Sequence, residues 1–297
     1  MMKNNKFQSF AIFIMVHGRP EKDWTYRTLR RNGYTGRIYL VGDDLDETID
    51  EYKRIWIPKL TKNGDELIVF DKEKSRKGLD AGDNSGDLRS TLYSSNKILE
   101  LAKERNLDYY MIMCDDYDGF RFRFDDKDNY NTTKNCRCLD KVMESMLKLM
   151  DSSEQITTVA FAQGGDFVGG ANSSTAKKKT LTRKSMNSFL CSTKRPFKFM
   201  GRMNEDVTTY VNLGSKGYLF FTIPQLAIDQ MGTQQEKGGL TDLYKAYGTY
   251  VKSFFSIMYN PSCVRLSVLG KNHKRIHHKI LWKHAVPKIL SEDHKKR

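Results

Sequence analysis

The stretch that most constrains this chain is Asp108-Tyr109-Tyr110-Met111-Ile112-Met113-Cys114-Asp115-Asp116-Tyr117-Asp118-Gly119. An apolar, β-prone run from Tyr109 to Met113 stops abruptly, and three carboxylates follow within four positions. A short apolar run bounded by polar residues reads as a buried strand of a parallel sheet. In open α/β sheets, ligands bind just beyond the carboxyl ends of such strands. Acids crowded there repel one another unless a cation neutralises them. Hard oxygen ligands with a chain turn at Gly119 suit Mg²⁺ or Mn²⁺ better than Zn²⁺. Asp115, Asp116 and Asp118 are therefore candidates to hold a divalent metal that grips a diphosphate. The plainer account is an ordinary acidic turn after a strand.

The chain before this stretch repeats the pattern. Residues 7–16 read as a first buried strand, with His17-Gly18-Arg19-Pro20 as the turn off its end. Trp24 to Asn32 reads as a short helix, and Arg37 to Gly42 as a second strand closing on Asp43-Asp44. This is the spacing of a βαβ unit and hence of a parallel pair. The G-x-G-x-x-G dinucleotide fingerprint is missing. A helix from Asp46 to Ile57 and a third strand over Leu67–Phe70 follow, the latter ending on Asp71. Lys72 to Asp87 is polar and glycine-rich, which predicts a mobile active-site loop or a merely solvated one. Leu88 to Arg105 carries an inward helical stripe, with Arg89 and Asn96 in its amino-terminal half.

Beyond the acidic stretch, Phe120-Arg121-Phe122-Arg123-Phe124 alternates aromatic and cationic residues. As a strand it turns its arginines to one side, toward an anion or toward water. A helix is expected over Leu139–Met150, and strands over Thr157–Ala162, Phe189–Thr193, Tyr218–Ile223 and Cys263–Leu269. Thr208 to Leu213 and parts of Leu240–Met258 read as helical. Glu205-Asp206 forms a second acidic site. A metal-dependent transfer from a nucleoside diphosphate needs a cation at the leaving diphosphate. In an inverting enzyme it also needs a carboxylate to deprotonate the acceptor hydroxyl, which Glu205 or Asp206 would supply. The competing account is an acid pair that satisfies amides at a helix start. His273, His277 and His278 lie in the basic tail, where one would add a nitrogen ligand to the metal or simply stand in solvent.

Charge and cysteine usage narrow the class. The formal net charge of +14 favours a polyanionic partner: nucleic acid, an anionic membrane face or a phosphorylated small molecule. The five cysteines are odd in number and form no paired C-x-x-C set, as expected of reduced thiols. The apolar run Phe10–Val16 is too short for a membrane span and has no cleavage site behind it, so a soluble, cytosolic protein is expected. No Walker loop, zinc ribbon or DNA-reading module is visible.

Taken in order, these motifs resemble those of GT-A-fold glycosyltransferases, and more closely the phage and eukaryotic TET/JBP-associated glycosyltransferases. The resemblance is carried by Val16-His17-Gly18-Arg19-Pro20, Val41-Gly42-Asp43-Asp44 and Gly78-Leu79-Asp80-Ala81-Gly82-Asp83-Asn84. It continues through the helix with Arg89 and Asn96, Tyr110 to Tyr117, and Gly201-Arg202-Met203-Asn204-Glu205-Asp206-Val207, covering about residues 8–225. It implies that His17, Gly18, Arg19 and Asp43 line a nucleoside pocket and that Arg89 faces the diphosphate or sugar. Asp115 would touch ribose or sugar, Asp116 would bind the metal, and Glu205-Asp206 would sit by the acceptor. Such families often place three acids in a row at the strand end. Here Cys114 takes the first place, which leaves the principal ligand open among Asp115, Asp116 and Asp118.

The resulting expectation is an α/β, GT-A-like protein with a single Rossmann-type mixed sheet flanked by helices. The nucleotide-sugar-binding and catalytic domain would span 7–225, and a helical, basic region over 226–297 would contribute to acceptor binding. The resemblance implies sugar transfer from a UDP-sugar, with Mn²⁺ or Mg²⁺, to hydroxymethylpyrimidine bases of phage DNA in an infected host's cytoplasm. The charge agrees with duplex DNA as partner through phosphate attraction, and no membrane partner is expected. A glycan or protein acceptor, a metal-dependent nuclease or nucleotidyltransferase, and a non-catalytic DNA-binding module are the rivals.

Overall fold

The structure, a computed structural model, describes residues 7–22, 24–178, 185–230, 241–248, 250–270 and 274–287. The sheet strands are β1 (Phe10–Met15), β2 (Arg37–Asp43), β3 (Glu66–Phe70), β4 (Tyr109–Cys114), β5 (Tyr117–Phe122), β6 (Ile156–Gln163), β7 (Ser188–Ser192) and β8 (Leu219–Gln230). They form one eight-stranded sheet in the order β3-β2-β1-β4-β7-β6-β8-β5. β3, β2, β1 and β4 run parallel, β7 is antiparallel to both its neighbours, β6 and β8 are parallel, and β5 closes the edge antiparallel to β8. The expected mixed sheet is therefore present.

Strand alternation explains the layering. In β1, Ile12 and Ile14 point to one face, while Ala11 and Phe13 point to the other. The first face is covered by helices α1 (Trp24–Arg31) and α2 (Ile49–Asn63), through Leu29, Tyr52 and Trp56. With α3 (Lys72–Ser75) and α4 (Leu92–Glu104) given to the chain between β3 and β4, α5 (Leu139–Asp151) completes that first layer through Met143 and Met150. α4 covers the opposite face through Leu92 and Ile98. After a short α6 (Ser174–Lys178), helix α7 (Glu205–Ser215) joins it there through Val207, Tyr210 and Val211. Such a sheet, buried on both faces, is why β1 and β4 read as near-continuous apolar runs.

The carboxy-terminal part differs from the expectation. Helices α8 (Thr241–Tyr247), α9 (Val251–Tyr259) and α10 (Trp282–Ala285) are there, but β9 (Val264–Leu269) pairs antiparallel with β10 (Arg275–Ile280). The tail read as helical and basic is thus in part a two-stranded ribbon, because its partner strand is too rich in Lys, Arg and His to look like one. β8 also runs through residue 225 to Gln230, without a break at the expected boundary. α4 begins at Leu92, so Arg89 lies in the loop before it rather than on the helix. All five cysteines are free thiols. Among the described residues, no helix is long and apolar enough to cross a membrane.

Candidate active site

The chain leaves β1 toward β2 and β3 on one side and returns to place β4 on the other. This reversal opens a crevice at the carboxyl ends of β1 and β4, the place where open α/β sheets take their ligands. Register puts Met15 beside both Val41 and Cys114. The turns that follow β1, β2 and β4 therefore meet at one edge.

Across that crevice the Arg19 guanidinium donates to Asp115 Oδ1, with Asp115 buried and Arg19 partly so. Burial works to lower the Arg19 pKa, but Asp115 and Asp116 outweigh it and hold it above its ordinary value. The Gly18 amide, in a turn with φ 70°, donates to Asp46 Oδ2 at 2.9 Å. The Arg19 amide donates to the Tyr52 hydroxyl at 3.1 Å. His17 Nδ1 lies 3.3 Å from Asp43 Oδ2, and the buried Lys72 ammonium donates to the same oxygen at 2.9 Å. Burial alone would raise the Asp43 pKa; His17 and Lys72 together hold it below the usual carboxylate value. His17, Gly18, Arg19, Asp43 and Asp115 are thus gathered at one edge. Asp46, Tyr52 and Lys72 complete the group.

Asp116 is the unusual member. Its Oδ2 accepts from the Gln230 amide at 3.0 Å, and Gln230 accepts in turn from Asn187 at 2.8 Å. Its Oδ1 is buried without a hydrogen-bond partner. Burial pushes the Asp116 pKa up, Gln230 and Arg19 pull it down, and Asp118 adds to the rise. A buried carboxylate oxygen with no donor is costly unless a cation or other group fills the position. One oxygen of Asp116 is therefore open to a cation or a hydrogen-bond donor. Among the described residues, no three His, Cys, Asp or Glu side chains are gathered to hold a metal. Asp118 stands exposed on β5, its carbonyl accepting from Arg31 at 2.7 Å. His273 lies outside the described residues.

Glu205 and Asp206 open α7, where acids suit the helix dipole. Asp206 meets a helix-start amide, as the competing account expected, whereas Glu205 meets a side chain. The Thr91 hydroxyl donates to Glu205 Oε1, while Asp206 Oδ1 accepts from the Val207 amide at 2.7 Å. Burial pushes the Glu205 pKa up to about 7, with the charge of Asp206 adding and Thr91 opposing. Burial likewise raises the Cys114 thiol well above its ordinary value, and Asp116, Asp115 and Glu205 all contribute. Glu205 is therefore within electrostatic reach of the β4 tip.

Arg89 and the arginines of the alternating ribbon have partners within the protein. Arg89 is held by Asp87 (Nη2 to Oδ2 2.7 Å, Nε to Oδ1 3.0 Å). Arg121 and Arg123 both pair with Asp229, each at 2.9 Å, so the alternating ribbon presents no free row of arginines. The polar loop after α3 is anchored rather than loose. Buried Arg202 donates to Asp83 at 2.6 Å, and the Gly201 and Arg202 amides donate to the carbonyls of Asp80 and Ala81 at 2.9 and 2.7 Å. Asn96 is structural, clamping Phe199 through its amide and carbonyl at 3.1 and 2.9 Å.

The switch point of this α/β sheet thus gathers paired acids and a partly buried arginine. A model of the TET-Associated Glycosyltransferase family matches residues 10–239, and the chain belongs to that family, as its motifs led us to expect. No curated protein matches the sequence. Among solved structures, the chain is similar to the mannosyltransferase PcManGT from Pyrobaculum calidifontis in complex with GDP-Man and Mn²⁺. That similarity has a TM-score of 0.49 and 12% identity, over 84% of this chain and 64% of the other. It is also similar to GalNAc-T7 with UDP, GalNAc and Mn²⁺, at TM-score 0.41 and 10% identity, over 75% of this chain and 44% of the other. The chain spans less than two thirds of the length of either.

Proposed function

We propose that the protein transfers a hexose or N-acetylhexosamine from a UDP-sugar to the hydroxymethyl group of a modified pyrimidine in phage DNA. The observation that carries the reading is the buried, partnerless Asp116 Oδ1 beside the Arg19–Asp115 pair, in a chain of this family. Asp116 would hold Mn²⁺ or Mg²⁺, with exposed Asp118 close enough to share the charge. The cation, when bound, supplies positive charge for a leaving diphosphate. His17, Gly18 and Asp43 line the nucleoside side of the crevice, and Arg19 with Asp115 sits where ribose or sugar would lie.

Glu205 is the better placed of the two acids to act as base. A carboxyl with a pKa near 7 takes a proton from an alcohol far more readily than one at 4.5. As the acceptor oxygen forms its bond to the anomeric carbon, its proton passes to Glu205. The bond from that carbon to the diphosphate oxygen breaks, and its electron pair leaves with the diphosphate. Arg89 reaches a donor only by leaving Asp87. The net charge of +14 supports DNA as acceptor, reached through the major groove or by flipping the base. Such an enzyme would work in the cytoplasm of the infected host.

The test is mass spectrometry of nucleosides from hydroxymethylated duplex DNA after incubation with Mn²⁺ and a panel of sugar nucleotides. One glycosylated hydroxymethylpyrimidine is expected, from a UDP-linked donor. An unchanged nucleoside pool across the whole panel overturns the reading.

A further inference from the structure

The β9–β10 ribbon carries two faces of different chemistry. Its register pairs Arg265 with Lys279, Ser267 with His277 and Leu269 with Arg275, and these residues share one face. The other face holds Val264, Leu266 and Val268 opposite Ile280, His278 and Ile276. Arg265, Arg275 and Lys279 are exposed, and among the described residues none has an ion-pair partner. Two cations directly opposite on one face destabilise a strand pair unless an anion lies between them. The ribbon's own stretch of chain supplies none. From Leu243 to Ser291 the sequence contains nine lysines and arginines and no carboxylate.

The ribbon is also tied to the candidate base. α9 packs against α7 and against both ribbon strands. Asn204, just before Glu205, donates to Ser256 on α9 at 2.6 Å, and Asn260 donates to the Thr208 carbonyl at 3.2 Å. Tyr210 of α7 stacks on Trp282, with ring centroids 5.9 Å apart and the planes nearly parallel. The Lys252 ammonium on α9 feels both Asp206 and Arg275.

We infer that the Arg265–Lys279–Arg275 face of the ribbon docks on the phosphate backbone of duplex DNA and so brings the duplex alongside Glu205 and Asp206. This rests on the DNA acceptor reading above and adds the surface that would hold it. A two-stranded ribbon is narrow enough for the major groove, and unpaired guanidinium and ammonium groups suit phosphate oxygens. An anionic membrane fits less well. A lipid surface attracts apolar and basic groups together, whereas here the apolar residues other than Leu269 lie on the face opposite the cations.

The test is fluorescence anisotropy of a labelled hydroxymethylated duplex across a salt series. It compares the wild type, the variant R265Q/R275Q/K279Q and a control, K59Q/K62Q, on α2. Each phosphate contact adds about 0.9 to the slope of log K against log salt, so the triple variant should lose about 2.7. At about 0.1 M salt its affinity should lie roughly five hundredfold below that of the wild type, the two proteins converging at about 1 M salt. Its affinity for UDP with Mn²⁺ should match that of the wild type, which shows that it is folded. The control should keep the wild-type slope. A wild-type slope in the triple variant overturns the docking surface while leaving DNA as acceptor. Absence of salt-dependent duplex binding by the wild type removes both. Tighter wild-type binding to phosphatidylserine vesicles than to duplex, lost in the triple variant, assigns the face to lipid and overturns the inference.

Discussion

If Glu205 takes the acceptor proton, transfer must switch on as that carboxyl ionises. Burial and the neighbouring Asp206 place its pKa at about 7 instead of 4.5, so the acid limb of the kcat/KM profile should have its midpoint near pH 7. At pH 6 roughly a tenth of the enzyme would be in the active form, whereas an ordinary glutamate would be almost fully ionised there. The two contacts that tune the group act in opposite senses. The Thr91 hydroxyl favours the charged form, and a hydrogen bond to a charged group is worth about 1.5–3 kcal/mol. Thr91→Val should therefore move the limb up by about 1–2 pH units. Asp206→Asn removes a like charge and should move it down. Glu205→Gln should slow transfer by about 10²–10⁴-fold and abolish the limb. Stopped-time assays of labelled sugar incorporation between pH 5 and 9 would measure all four proteins. A limb that stays near 4.5, or that ignores both neighbours, refutes the assignment of Glu205 as base.

Two further outcomes test the scaffold around the site. Arg202→Met leaves Asp83 and Asp87 without their buried guanidinium and should cost about 2–3 kcal/mol. Trypsin should then cut the loop at Arg76 and Lys77 well below the melting temperature, and unchanged cutting would show that the clamp does not hold the loop. Asp65 is fully buried and accepts from Arg30, the Tyr26 hydroxyl (2.8 Å) and the Ile38 amide (3.0 Å). Asp65→Ala should lose about 3 kcal/mol in urea unfolding with kcat unaltered at low temperature, and a stability within error of the wild type would contradict that burial argument.

The parts of the site that the sequence disclosed are those fixed by local pattern. Each parallel strand announced itself as an apolar run, and its active end as the acids or the His-Gly-Arg turn that follow. Contacts across long stretches of chain were hidden. Gln230 lies 114 residues from the Asp116 it holds, and nothing in a polar residue at a strand end marks it as a partner. Arg121 and Arg123 looked free only because Asp229, more than a hundred residues on, could not be paired with them before the β5–β8 register was known. Arg89 was misplaced for the opposite reason. Its partner Asp87 is two residues away, and both stand before α4, which starts at Leu92 and not at Leu88 as the apolar stripe had suggested. Asp46 left a faint signal, being a third acid soon after Asp43-Asp44. Thr91 left none.

Asp116 is the proposed link between a divalent ion and a diphosphate. Isothermal titration of UDP into the wild type and Asp116→Asn, each with Mn²⁺ and with EDTA, addresses this most directly. The wild type with Mn²⁺ should bind UDP at least about tenfold more tightly than in the other three conditions, the worth of one charge-assisted contact. Equal affinity in all four would contradict the account.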